Sequence, residues 1–200
     1  MNFTYSEYKN FLQTAQKNNY RFLFFTDTKK LQEENQYILL RHDIDFDIQK
    51  ALQMAEIEQD CGVQSTYFFM ITSFFYNLYE PRVIAILQKI RELGHDIGLH
   101  FDEKSCTAGS MDVLKQTIQE QKKVFEQICA IPIDIISFHR PSHNIVQRNA
   151  SVGIAHTYLN KFSTDIEYVS DSKRDFKGKN LLTLIQKQNT KKIQVLIHPF

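Results

Sequence analysis

Short apolar runs alternate along this chain with stretches whose apolar residues recur at helical spacing. Residues 37–40, Tyr37-Ile38-Leu39-Leu40, are apolar on both faces, as a strand buried within a parallel sheet has to be. Over 46–60 the period changes: Ile48, Ala51, Leu52, Ala55 and Ile57 fall near one helical stripe, and Cys61-Gly62 ends it. The same alternation predicts strands over 65–71, 95–102, 131–138, 166–169 and 193–197, and helices over 81–93, 111–130 and 181–188. Pro81 opens one of these helices and Gly94 stands just past its end, each where its backbone preference suits it. Ahead of this array, a helix over 5–17 and an apolar strand over 21–25 make an N-terminal segment, residues 1–36, expected to pack on the main domain, 37–200. Strand–helix alternation of this kind implies parallel strands joined by right-handed crossovers, in an α/β barrel or an open doubly wound sheet.

Composition narrows the classes of function. The chain has 200 residues, 42% hydrophobic and 24% charged, and a chain of this size buries about 70% of its unfolded surface without needing a structural metal or disulfide. A formal net charge of +1 gives no basic footprint for nucleic acid. No apolar run approaches the ~20 residues of a membrane span, and the first residues lack the charged and apolar regions of a signal peptide. Three cysteines, odd in number and widely spaced (Cys61, Cys106, Cys129), read as free thiols of a reducing compartment, so the expected location is the cytoplasm. An oligomer is compatible with all of this.

Candidate chemistry collects at strand ends. Of seven histidines, four (His42, His100, His139 and His198) fall at or just beyond the C-terminal end of an apolar strand, where α/β folds build their sites. In Arg41-His42-Asp43-Ile44-Asp45 the carboxylates of Asp43 and Asp45 share one strand face, about 7 Å apart. Like charges so close need a cation or a proton between them. A divalent metal is the simplest resolution, one Asp ligating and the other acting as base. Neutralisation by Arg41, or Asp45 serving only as a helix cap, are the plainer alternatives. Asp96, His100 and Asp102 share a face of a later strand, and imidazole beside carboxylate suits Zn first, then Fe, Co, Ni or Mn, over Mg or Ca. Gly94 and Gly98 allow another group to approach that strand closely. His139 is a further candidate ligand, and Arg140 could orient a carboxylate or bind substrate oxygens. His198, at the end of the last strand, suits a general acid. Arg41 and Asp171 are the candidate substrate contacts.

These segments, in this order, resemble the motifs of the polysaccharide deacetylases, the NodB-homology domain of carbohydrate esterase family 4. Arg41 to Asp45 is similar to that family's Thr-Phe-Asp-Asp, and Gly94 to His100 to its Gly-His-Glu-Ile-Gly-x-His. Phe138-His139-Arg140-Pro141 is similar to its Arg-Pro strand end, and Leu196-Ile197-His198 to its Leu-x-His. The resemblance spans 37–200. It implies a distorted (β/α) barrel of about seven parallel strands, left incomplete at the C-terminus because no helix follows the last strand. It also implies a metal-dependent hydrolase that removes acetyl from an N-acetylated sugar in polysaccharide or glycolipid biosynthesis. By the same resemblance Asp43 matches the base, Asp45 and His100 the metal ligands, His198 the acid and Arg140 the residue orienting the base. Two positions depart from the pattern. The family's second metal histidine falls on Lys104, so a third ligand has to come from His139 or Asp102, with His139 favoured. Ile44 separates the two carboxylates, so the roles of Asp43 and Asp45 could be exchanged. The aromatic loop over 74–79 could stack a sugar near the rim. The alternatives are a metal-dependent phosphoesterase and a degenerate domain that binds sugar without cleaving it.

Overall fold

The computed structural model describes residues 4–106, 110–147, 149–172, 176 and 180–199. Its strands are Arg21–Phe22 (β1), Tyr37–Ile44 (β2), Thr66–Phe69 (β3), Asp96–Asp102 (β4), Ile135–His139 (β5), Ala155–His156 (β6), Glu167–Ser170 (β7) and Lys192–Leu196 (β8). They pair in parallel in the order β6-β5-β4-β3-β2-β8-β7, and β1 lies against the start of β2 on the edge that β3 takes further along. The helices are Tyr5–Lys17 (α1), Thr28–Glu33 (α2), Ile48–Asp60 (α3), Pro81–Glu92 (α4), Met111–Cys129 (α5), His143–Gln147 (α6) and Leu181–Lys187 (α7). The seven strands of the main path curl into a half-barrel flanked by helices, the distorted (β/α) barrel that the family resemblance implies. The wall is open between β6 and β7, which do not pair with each other among the described residues.

Each strand sorts its side chains by the two-residue alternation of the pleat. On β2, Ile38 and Leu40 enter the layer under the helices, while Tyr37 and Leu39 point into the barrel. The floor of the barrel is aromatic: Phe25 meets Phe162 and Phe68 edge-on, with centroids 5.0 and 6.2 Å apart. Each such ring, fully buried, stabilises the fold by about 1.5–3 kcal/mol. Above this floor comes a polar layer. Gln194 of β8 donates to the carbonyls of Thr157 and Phe162, bridging toward the open seam from inside.

The N-terminal segment is continuous with this architecture. β1 joins the sheet, and α1 packs against α3 and α7 through Phe11, Leu12 and Ala15. α2 and β6 were not anticipated: α2 buries no residue and so carries no apolar stripe, and β6 is two residues long. No helix among the described residues is long and apolar enough to cross a membrane.

Candidate metal centre

The inward face of β2 climbs from Tyr37 through Leu39 and Arg41 to Asp43, and Asp45 stands one step past the strand. The cap of α3 is Asp47, whose carboxylate accepts from the backbone N–H groups of Gln49 (2.9 Å) and Lys50 (3.1 Å). Asp45 has no capping duty and turns to the rim. There His100 Nε2, from β4, and His139 Nδ1, from β5, lie 3.2 and 3.1 Å from the same atom, Asp45 Oδ1. One ligand atom from each of the three residues lies within 4.8 Å of the other two. Neither short contact has hydrogen-bond geometry, and Asp45 Oδ1 is buried without a hydrogen-bond partner.

That arrangement fits a metal ion. Ligand atoms bonded at about 2.0–2.1 Å to one ion stand roughly 3.0–3.4 Å apart. Two imidazoles and one carboxylate, open on one side, form the donor set of catalytic zinc and of non-haem iron. Burial pushes the Asp45 carboxyl up, but the neighbouring His100 and His139 outweigh it and hold the group well below the usual carboxylate range. Asp102, the other candidate for third ligand, is spent on a cap: its Oδ1 accepts from the Lys104 N–H at 3.0 Å. Lys104 itself is exposed.

Asp43 sits deeper and is 2% exposed. Ser137 Oγ donates to its carboxylate, lying 3.1 and 3.0 Å from the two oxygens, and Arg41 Nη2 stands 3.3 Å away. His100 Nδ1 has no hydrogen-bond partner, and the Asp43 carboxylate lies 3.9 Å from it. Arg41 corrects two expectations. It is fully buried and does not reach the cleft, so it is not positioned to bind substrate. It donates to the hydroxyls of Thr157 and Tyr158, stacks under the rings of Tyr158 and Tyr168, and forms the ion pair with Asp43 that was expected of Arg140. Arg140 instead takes a left-handed backbone (φ 50°) and is exposed at the mouth of the cleft.

Asp171 is corrected in the same way. Expected to touch substrate, it is fully buried and holds His198. Its Oδ2 accepts from the His198 backbone N–H at 2.9 Å, and its Oδ1 lies 2.6 Å from His198 Nδ1. That bond places the proton on Nδ1 and turns Nε2 toward the centre, 4.0 Å from Asp45 Oδ2. Burial pulls the His198 pKa down, but the Asp171 hydrogen bond and the charges of Asp43, Asp171 and Asp45 outweigh it, so the net direction is up.

Asp43, Asp45, His100, His139, Arg140 and His198 line a cleft of roughly 870 Å³. Phe46 and Asp47 also border a second hollow of roughly 410 Å³, which runs to Phe75. Phe75 is exposed there and its ring meets that of Phe46 at 4.7 Å, and Phe74 and Tyr79 of the same loop are exposed as well. Tyr76 also borders this hollow but is largely buried, its hydroxyl tied to the Ile44 carbonyl and the Met70 backbone N–H. Ser137, Thr157, Tyr158 and Tyr168 were missed from sequence. Only Ser137 left a signal, two residues before His139 and so on the same strand face.

No family model matches the chain, and no curated protein matches it. Solved structures do. A carbohydrate esterase family 4 esterase from Streptococcus mutans superposes with a TM-score of 0.59 at 13% identity, covering 92% of this chain and 82% of that one. A family 4 carbohydrate esterase from Streptomyces lividans, solved with acetate, gives 0.55 at 12% identity over 83% of this chain and 80% of that one. A family 4 pseudoenzyme from Bacillus anthracis gives 0.55 at 13% identity, over 83% of this chain and 55% of that one. The fold is therefore that of the family 4 carbohydrate esterases.

Proposed function

We propose that this chain is a metal-dependent deacetylase of N-acetylated saccharides, acting in the making of a polysaccharide or glycolipid. The observation that carries the reading is the orphaned Asp45 Oδ1, with two imidazole nitrogens at 3.1 and 3.2 Å, at the mouth of a cleft that also receives Asp43 and His198. Asp45, His100 and His139 would hold one divalent ion, zinc before iron, cobalt, nickel or manganese. Such an ion polarises an amide carbonyl and lowers the pKa of water. The chain's own residues supply the rest. Asp43, oriented by Arg41 and Ser137, accepts the proton of the attacking water. His198 Nε2 delivers a proton to the departing amine, while Asp171 holds the ring in the tautomer and direction this needs. Arg140 faces the oxygens of the sugar.

The exposed rings of Phe46, Phe74, Phe75 and Tyr79 support a chain-like saccharide over a single sugar, since flat apolar faces stack on pyranose rings beyond the reacting unit. The free thiols of Cys61, Cys106 and Cys129 suit a reducing compartment, and the reading takes the protein to be cytoplasmic.

Elemental analysis of wild type and His100→Ala, purified side by side, tests the centre. About one divalent ion per wild-type chain and almost none in the variant is the expected result. Acetate release from N-acetylglucosamine oligomers then tests the chemistry, with longer oligomers turned over better than the monomer. Metal bound without acetate released would favour a saccharide-binding domain. A wild type that refuses added zinc would sink the hydrolytic reading.

A further inference from the structure

Behind β2, on the face opposite Asp43, lies a polar cluster that the reaction does not use. Glu58 of α3 is fully buried. Its Oε1 accepts from the hydroxyls of Tyr8 (α1) and Tyr67 (β3, 2.9 Å) and lies 2.8 Å from His42 Nε2. Its Oε2 accepts from Ser65 Oγ at 2.5 Å, with His95 Nδ1 3.3 Å away. Burial pushes the Glu58 carboxyl up, and His42 with the other groups around it outweighs that, leaving it below its ordinary range and ionised.

Counting donors places the protons of the two histidines on different ring nitrogens. His95 Nε2 faces the Ala55 carbonyl at 3.0 Å and must donate, while its Nδ1 accepts the Ser65 backbone N–H at 3.3 Å. A ring that donates once and accepts once is neutral. His42 is different: Nδ1 lies 2.8 Å from the Ile197 carbonyl, and Nε2 lies 2.8 Å from the Glu58 carboxylate. The Ile197 carbonyl only accepts, so Nδ1 donates; Nε2 also lies 3.3 Å from the Tyr8 hydroxyl, and its contact with Glu58 lacks hydrogen-bond geometry, so one proton, on Nδ1, accounts for the ring.

The carbonyl that His42 holds belongs to the residue before His198. The Ile197 N–H donates to the Arg41 carbonyl at 3.1 Å, so consecutive residues of β2 grip both backbone groups of Ile197. We propose that His42 is a positioning residue for His198: its Nδ1–H pins the Ile197 carbonyl and thereby sets where the following imidazole stands over the cleft. The inference rests on the deacetylase reading only for the acid role of His198. The ligands Asp45, His100 and His139 do not depend on His42, so its loss acts on turnover and spares metal binding.

Ring nitrogen-15 NMR of the wild type near neutral pH gives the first test and needs no substrate. His42 Nδ1 carries a proton if the assignment holds, and a bare Nδ1 overturns it. The second test compares His42→Gln and Glu58→Gln with wild type for zinc content, KM and kcat on N-acetylglucosamine oligomers. His42→Gln is expected to keep zinc and KM and to lose about 100-fold in kcat, the scale of a misplaced catalytic group. Glu58→Gln leaves His42 still donating to Ile197 and keeps most of its turnover. An unchanged kcat in His42→Gln, or an equal loss in both variants, overturns the proposal. Where the wild type releases no acetate, the deacetylase reading fails. The His198 backbone amide resonance then decides for His42, since it should move in His42→Gln and not in Glu58→Gln.

Discussion

Asp171 and His198 show how much one buried carboxylate determines at this rim. The 2.6 Å contact between Asp171 Oδ1 and His198 Nδ1 fixes which ring nitrogen carries its proton toward the cleft. If His198 is the acid, His198→Ala lowers kcat by about 10²–10⁴, the usual contribution of one general acid, with metal content unchanged by elemental analysis. Asp171→Asn should also move the alkaline limb of the kcat profile to lower pH. The Asp171 interaction is among those that raise the His198 pKa, so its loss lets the imidazolium deprotonate earlier. A profile that does not move would remove Asp171 from this role. Arg41 teaches the complementary lesson: beside two carboxylates in the sequence, it reads equally well as a substrate contact. Only its complete burial and its bonds to Thr157 and Tyr158, far along the chain, make it a scaffold for Asp43.

At the scale of elements, β2, β4 and β5 carry the candidate centre, since Asp45 follows β2 while His100 and His139 stand on β4 and β5. β4 reaches its place through Gly98. A Cβ there would meet the Phe68 ring at 2.4 Å and the Ile135 carbonyl at 2.9 Å, so the strand packs this closely only without a side chain. Gly98→Ala is expected to destabilise the fold by about 1–3 kcal/mol, the cost of overpacking a tight interior, measurable as a lower urea midpoint. Because Gly98 lies two residues from His100 on the same face, metal affinity should fall with it. Helices and strands were legible as elements since their apolar periods are strong and local. The two-residue β6 and the exposed α2 were not, since neither leaves a periodic apolar trace.

For the whole molecule, buried neutral histidines set the response to acid. His95 and His156 each face a backbone carbonyl through Nε2 and accept a backbone N–H at Nδ1, and burial lowers the pKa of both. A depressed histidine contributes stability that is full above its unfolded pKa, about 6.5, and is lost as pH falls through the folded value, because the unfolded chain takes up the proton first. The urea midpoint of metal-free protein should therefore drop between about pH 7 and 5, and His156→Gln, which keeps a donor and an acceptor, should flatten that slope. A slope unaltered in the variant would assign the acid response elsewhere. By itself the sequence determined the alternating elements, the parallel class of the sheet, and the strand ends where Asp43, Asp45, His100, His139 and His198 stand. Those follow from short-range periodicity, which each segment carries in its own residues. The tertiary structure alone decided that Asp45 meets two histidines while Asp43 meets Arg41 and Ser137, that Asp171 holds His198, and that His42 faces Ile197 and not the cleft. Each of these pairs joins residues on different strands or loops, and their meeting depends on strand order, register and the inward or outward turn of the pleat.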